Sequence, residues 1–261
     1  MVVQQRRVVV VGAGSGIGAA TAAYFHGRGD FVAAVDLRAG DTPAGRHERC
    51  DLRDPAAIAG LLRDLGPDWD LLAYVAGVPG TAPAGDVLTV NYLGLRLMAE
   101  GMLPSMRRGG AIVGVASVAA LGWQQRVGEL AGLLEATDRA AVLDWQAGQD
   151  PAYPVYSTSK QAVIVYAKRL APTAWREFGV RVNTVSPGPT ETPILPDFEE
   201  SMGKDTLEVV KAAVGRHATV HDIVPVIAFL GSADAGWING QDIHVDGGFV
   251  APLSVGAPIE L

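Results

Sequence analysis

Tyr156 and Lys160 stand four residues apart in the run Tyr156-Ser157-Thr158-Ser159-Lys160. On a helix that spacing places both side chains on one face. An ammonium beside a phenol favours the phenolate and lowers its pKa. Such a pair can take or give a proton near neutral pH. Tyrosine–lysine pairs at this spacing also arise by chance. The chain, however, has only four lysines, Lys160, Lys168, Lys204 and Lys211.

A second group is Gly12-Ala13-Gly14-Ser15-Gly16-Ile17-Gly18, which follows the apolar run Val8–Val11. A glycine-rich turn between a buried strand and a helix lets the backbone approach a pyrophosphate, whose charge the helix N-terminus stabilises. Asp36, followed by Leu37, comes 18 residues after Gly18, at the end of the second expected strand. A carboxylate there accepts from both ribose hydroxyls of an adenosine and repels a 2′-phosphate. Ser15 stands where a basic residue would favour the phosphorylated cofactor. Arg38 points the other way, since a guanidinium can pair with a 2′-phosphate. The balance gives NAD as the expected cofactor. Asp51-Leu52 fits either an adenine contact or a plain turn before the helix cap Asp54-Pro55, and spacing alone does not choose. His217 and His221 are four apart with no third ligand at suitable spacing, so no metal site is expected.

These groups need a scaffold. Short β-rich runs alternate with longer helical ones. Strands are expected at Val8–Val11, Phe31–Asp36, Arg46–Asp51, Asp70–Val75, Ala111–Ser117, Val180–Ser186 and Gln241–Val245. Helices are expected at Gly16–Arg28, Pro55–Leu65, Asp86–Arg107, Tyr156–Phe178 and His221–Leu230. This alternation implies a parallel sheet with helices on both faces. No linker or repeat divides the 261 residues, so one domain over 1–261 is expected.

Composition excludes several classes. With 21 Lys plus Arg against 28 Asp plus Glu, the chain carries a net charge of −7, which argues against a nucleic-acid binder. The single cysteine, Cys50, excludes an intrachain disulfide and fits a cytoplasmic setting. Arg6-Arg7 before an uncharged stretch imitates a secretion signal, but Gly12, Gly14, Gly16 and Gly18 would break its helix. No membrane span is expected.

Gly12-x-x-x-Gly16-Ile17-Gly18, Asn91, Ser117 and Tyr156-x-x-x-Lys160, in that order, resemble the short-chain dehydrogenase/reductase family over essentially the whole chain. Pro187-Gly188-Pro189-Thr190-Glu191-Thr192 and Asp246-Gly247-Gly248 match further family segments. The resemblance implies a doubly wound Rossmann-type α/β domain with a seven-stranded sheet. It implies that Ser117 holds the substrate oxygen and Tyr156 exchanges a proton with it. Lys160 would hold the nicotinamide ribose and lower the Tyr156 pKa, and the Asn91 backbone would hold a water in a proton relay. Pro187, Gly188, Thr190 and Thr192 would border the nicotinamide half, and Ala76-Gly77 the ribose. Two departures stand out: Val11 replaces a customary threonine, and Tyr74-Val75-Ala76-Gly77 replaces the family's Asn-Asn-Ala-Gly.

The largest departure is the 39-residue step from Ser117 to Tyr156, far longer than in most members. It contains a helical insertion at about 121–151, with Val127, Leu130, Leu134, Ala141 and Trp145 as its apolar stripe. Such an insertion either walls the substrate site or packs against the domain or a partner. Together with the acidic end of strand two, it resembles the bacterial 3α-hydroxysteroid dehydrogenase/carbonyl reductase and coniferyl alcohol dehydrogenase subgroup. That resemblance implies a bulky hydrophobic alcohol or ketone as substrate. Trp123, Phe198 and Met202 are candidate cavity walls or ordinary packing. The family's habit implies a homo-oligomer with two contacts, one through the helices at Asp86–Arg107 and Tyr156–Phe178 and one through the last helix and strand, the latter extended by the apolar tail Phe249–Leu261. The insertion emerges beside the first contact: a dimer is expected if it blocks that contact, a tetramer if it substitutes for the lost surface.

Overall fold

The computed structural model describes residues 5–38 and 40–257. Strand β1 (Arg7–Val11) is a β-branched run whose four valines are fully buried. Side chains alternate along a strand. Val9 and Val11 accordingly enter one hydrophobic core and Val8 and Val10 another, one on each sheet face. Around β1 lie β2 (Phe31–Asp36), β3 (Arg46–Arg49), β4 (Trp69–Tyr74), β5 (Met106–Val115), β6 (Arg181–Pro187) and β7 (Asp242–Val245), all parallel in the order β3-β2-β1-β4-β5-β6-β7. The order reverses between β1 and β4. A crevice at the carboxyl ends of those strands is where such sheets bind ligands.

Helix α1 (Gly16–Gly27) covers one face, and α2 (Pro55–Leu65) the other, its first turn capped by Asp54 accepting from the Ala56 N–H. The long helix expected at Asp86–Arg107 is instead α3 (Ala84–Leu88), a π-helical turn over Thr89–Leu93, and α4 (Gly94–Met102). Pro104 stops it earlier than expected, and β5 therefore begins at Met106 rather than Ala111. The π-turn is occupied from within: the Tyr74 hydroxyl donates to the Val90 carbonyl, in volume that a Cβ on Gly94 would fill. A tyrosine in place of the family's asparagine thus serves the helix behind the site.

Residues 121–151 do form helices, α5 (Ala131–Glu135) and α6 (Arg139–Ala147). Leu130, Leu133, Leu134, Ala136 and Val142 are buried in the core they share with α4 and with α7 (Val155–Thr173). Arg96 of α4 donates to the carbonyls of Leu134 and Ala136, at 2.8 and 2.7 Å. Arg126 donates to Thr158 Oγ1 and Gln161 Oε1 of α7, at 3.1 and 3.2 Å. The insertion is a layer laid over these helices. After β6 come two helices that no sequence pattern above anticipates, α8 (Leu195–Met202) and α9 (Lys204–Val214). Then follow α10 (Val220–Leu230) and, beyond β7, the short α11 (Val250–Leu253). The last four residues of the expected apolar tail, 258–261, lie outside the described residues.

Candidate active site

One cavity of about 750 Å³ opens at the carboxyl ends of the central strands. That is within the range of small-molecule sites, about 300–1,000 Å³. Gly12, Ser15, Gly16, Ile17, Gly18, Asp36, Leu37, Asp51, Leu52, Ala76, Gly77, Ser117, Tyr156, Lys160, Pro187, Gly188, Thr190 and Thr192 all line it. They come from seven segments far apart in the chain. Asn91 is the one candidate behind the wall. Its Oδ1 accepts from the Val78 N–H at 2.8 Å, and its Nδ2 donates to Ser159 Oγ at 3.0 Å. It ties the loop after β4 to the helix that carries Tyr156 and Lys160.

The glycine turn fits a nucleotide's phosphates. Gly12 has φ +89°, and a Cβ there would lie 2.5 Å from the Ala76 backbone nitrogen. A Cβ on Gly18 would overlap the Gly12 carbonyl. Ser15 makes no side-chain cap, so the first N–H groups of α1 stay available where Gly16, Ile17 and Gly18 line the cavity. Asp36 Oδ2 accepts from the Gly14 N–H at 2.8 Å and its Oδ1 from the Arg38 N–H at 3.2 Å. The carboxylate is fixed before any ligand arrives. The cavity's shape and donors suit a dinucleotide.

At the other end, Ser117 caps a short turn, its Oγ accepting from the Ala119 N–H at 3.1 Å. Lys160 is buried and donates to the Val115 carbonyl at 2.8 Å. Its Nζ stands 5.6 Å from the centre of the Tyr156 ring. Bare Gly77 lets the backbone pass both Lys160 Nζ and Asn91 Oδ1, to which a Cβ would lie 3.3 and 3.4 Å away. Here burial opposes the expected lowering of the phenol pKa. Burial pushes the Tyr156 phenol well above the usual tyrosine range, and the neighbouring Ser117 opposes this. Burial also pushes Lys160 down to about 8. Sharing a helix face does not by itself lower the phenol pKa, because the ammonium is directed at a carbonyl and both groups are desolvated.

Phe198 of α8 tilts over Tyr156, ring centres 4.9 Å apart, and Met202 lines the cavity beside it. Trp123 does not line it. It packs against the core, with Lys168 Nζ 5.3 Å from its ring centre. None of residues 121–151 lines the cavity, so the insertion is not a wall of this site. The pattern reading missed Val78, Ala82, Asp86, Ile194 and Arg53 as lining residues. The signal for Arg53 and Asp86 was only their closeness in sequence to Asp51 and Asn91. His217 and His221 gather no third ligand; among the described residues no three His, Cys, Asp or Glu side chains cluster to hold a metal ion. Among them, too, no helix is long and apolar enough to cross a membrane.

Comparison with known proteins decides the family. The family described as short chain dehydrogenase matches residues 6–128, and one described as enoyl-(acyl carrier protein) reductase matches residues 145–250. Coniferyl-alcohol dehydrogenase of Pseudomonas sp. (strain HR199 / DSM 7063) is 34% identical over 96% of this chain and 99% of its own. The chain belongs to the short-chain dehydrogenase family. A 3-alpha-hydroxysteroid dehydrogenase/carbonyl reductase of Comamonas testosteroni is likewise 34% identical, over 94% of this chain and 97% of its own. The crystal structure of 3-alpha-hydroxysteroid dehydrogenase from Pseudomonas sp. B-0831, complexed with NADH, superposes with a TM-score of 0.82 at 31% identity, covering 97% of this chain and all of the other. This short-chain dehydrogenase is therefore an oxidoreductase on a fold that binds a nicotinamide cofactor.

Proposed function

We propose that the chain, working as one domain, is an NAD-dependent dehydrogenase that interconverts a bulky hydrophobic alcohol and its ketone or aldehyde. The observation that carries this reading is one cavity with Asp36 at one end and Ser117, Tyr156, Phe198 and Met202 at the other. Gly12–Gly18 would cradle the pyrophosphate, Asp36 the adenosine ribose, and Asp51-Leu52 the adenine. Lys160 would hold the second ribose, and Thr190 and Thr192 the carboxamide and phosphate. Nicotinamide, when bound, accepts or supplies the hydride. In alcohol oxidation Ser117 donates a hydrogen bond to the substrate oxygen, and the Tyr156 phenolate takes its proton. Asn91, tied to Val78 and Ser159, positions the loop and helix through which that proton leaves. The Phe198 face over the phenol favours apolar or aromatic substrates. The relatives named above, one acting on coniferyl alcohol and one on hydroxysteroids, support the same size class. A cytoplasmic setting belongs to this reading and is supported by the buried free thiol of Cys50. A panel of steroid, terpenoid, aryl and short aliphatic alcohols with NAD, followed at the reduced-nicotinamide absorbance, tests it. Reduction of NAD by none of them, or only by short aliphatics, would overturn it.

The pH dependence follows from the two shifted groups. A phenol raised by burial is protonated at neutral pH, which suits it as the acid for carbonyl reduction. Oxidation needs the phenolate, so its rate should climb up to about tenfold per pH unit below the phenol pKa. Lys160, pushed down to about 8, loses its charge above that pH. Oxidation should therefore rise from pH 6 to about 8 and then flatten, while reduction stays level below pH 8. Initial rates in both directions check this; a flat oxidation profile would contradict it.

Assembly is read the same way. Helices α5 and α6 cover α4 and α7, the surface other members use for one contact, which favours the blocked alternative. At the other surface Trp237, between α10 and β7, is 91% exposed, and Phe229 of α10 and Trp175 are also open. Trp237 packs edge-on against Trp175, ring centres 6.3 Å apart, and a contiguous exposed patch of this kind supports a contact surface. A homodimer through α10 and β7 is expected by light scattering, and Trp237→Asp should shift it towards monomer. A monomeric wild type at micromolar concentration would refute the reading.

A further inference from the structure

Four charged side chains form a ladder from the inserted helix to the adenine end of the cavity. Arg139, first residue of α6, donates from Nη2 to Asp86 Oδ1 at 2.6 Å. Asp86 Oδ2 faces Arg53 Nη1 at 3.6 Å. Arg53 then grips Asp51: its Nε reaches Oδ1 at 2.9 Å, its Nη2 reaches Oδ2 at 2.7 Å, and its backbone N–H reaches Oδ1 at 3.0 Å. Each carboxylate oxygen has about two acceptor directions. Both are filled on Asp51 Oδ1, while Oδ2 keeps one free. Asp51, Arg53 and Asp86 all line the cavity.

The grip needs an outside anchor. Arg53 is 43% exposed in its side chain and, on a mobile stem, would sample other rotamers. Asp86 limits it, and Asp86 is in turn limited by Arg139. The seat of α6 beside Asp86 is specific: Leu143 occupies the volume that a Cβ on Gly85 would fill. Electrostatics run the same way. Arg53 hydrogen bonds hold the Asp51 carboxyl below the usual carboxylate range, and the more distant Arg139 adds to this.

We propose that the inserted helix, through Arg139, pre-orients the one free acceptor of Asp51 for the 6-amino group of the cofactor's adenine. This rests on the cofactor placement proposed above. Arg139 is then a positioning residue for cofactor binding, and the insertion serves the cofactor without touching the substrate. Pre-organisation of this kind raises affinity by removing the cost of ordering the site on binding.

Arg139→Met keeps the stem's packing and removes the charge. NADH affinity, read by energy transfer from protein tryptophan, should fall about 3- to 10-fold. KM for NAD should rise by a similar factor with kcat unchanged. The reduced and oxidised hypoxanthine analogues, which carry an oxygen in place of the 6-amino group, should bind wild type and variant alike. Arg139→Lys should recover most of the loss, and added salt should narrow the gap between wild type and Arg139→Met. Equal weakening of NADH and its analogue, or no weakening of either, overturns the proposal. Asp51→Ala, which leaves no side-chain acceptor, separates it from the cofactor placement. If that variant still prefers NADH over the analogue as wild type does, the adenine placement itself fails. If the preference is lost but Arg139→Met leaves it intact, the ladder alone fails.

Discussion

Tyr156→Phe should lower turnover by about 100- to 10,000-fold, the usual range for a general acid–base group, while the cofactor still binds. The loss is confined to one oxygen. Phe fills nearly the same volume, keeps the ring contact with Phe198 at 4.9 Å, and leaves Lys160 on the Val115 carbonyl. Steady-state rates with the best alcohol of the panel, set beside an NADH titration, separate chemistry from binding. Retention of more than roughly a tenth of the wild-type rate would remove Tyr156 from the role of proton carrier.

What sequence alone makes visible follows from how local the physics is. The strands around the site were legible because a buried parallel strand reads as a continuous β-branched run, as Val8–Val11 does. The glycine turn was legible because its neighbours leave no room for side chains, at Gly12 and Gly18 above all. The π-turn at Thr89–Leu93 was not, since what sustains it is a tyrosine from β4 reaching across. Helices α8 and α9 were missed for another reason. Pro193, Pro196 and Gly203 interrupt the pattern, α8 buries no residue at all, and α9 buries only Leu207 and Val210. The apolar stripe of the insertion was visible, but its partner surface was not. Spacing reports that a face is apolar and says nothing of which element covers it. The Tyr156–Lys160 pair teaches a similar lesson. Spacing gave the shared face, whereas the direction of the phenol's pKa depended on burial, and Lys160 turned to the carbonyl of Val115, 45 residues before it in the chain.

Asp36→Ser should move cofactor preference from NAD towards NADP by about 100-fold or more, the scale set by removing a like-charge clash. In the wild type the Asp36 carboxylate is held on both oxygens, by the N–H groups of Gly14 and Arg38. Gly14 is part of that fit, because a Cβ there would come within 2.8 Å of the carboxylate carbon. A fixed anion at this point accepts from ribose hydroxyls and repels a 2′-phosphate. Serine leaves the two N–H groups as free donors and opens space for the phosphate, and Arg38, which lines the cavity, can then pair with it. The role of Arg38 is thereby made conditional: with Asp36 present the carboxylate keeps out the phosphate that Arg38 could hold, and without Asp36 Arg38 becomes the phosphate's partner. Adding Arg38→Ala to Asp36→Ser should therefore abolish most of the gain with NADP yet leave the loss with NAD unchanged. The ratio of kcat/KM for the two cofactors across wild type and both variants reads this out. A wild type that binds NADP more tightly than NAD would show instead that Arg38 already prevails over Asp36, and the assignment of NAD would fall with it.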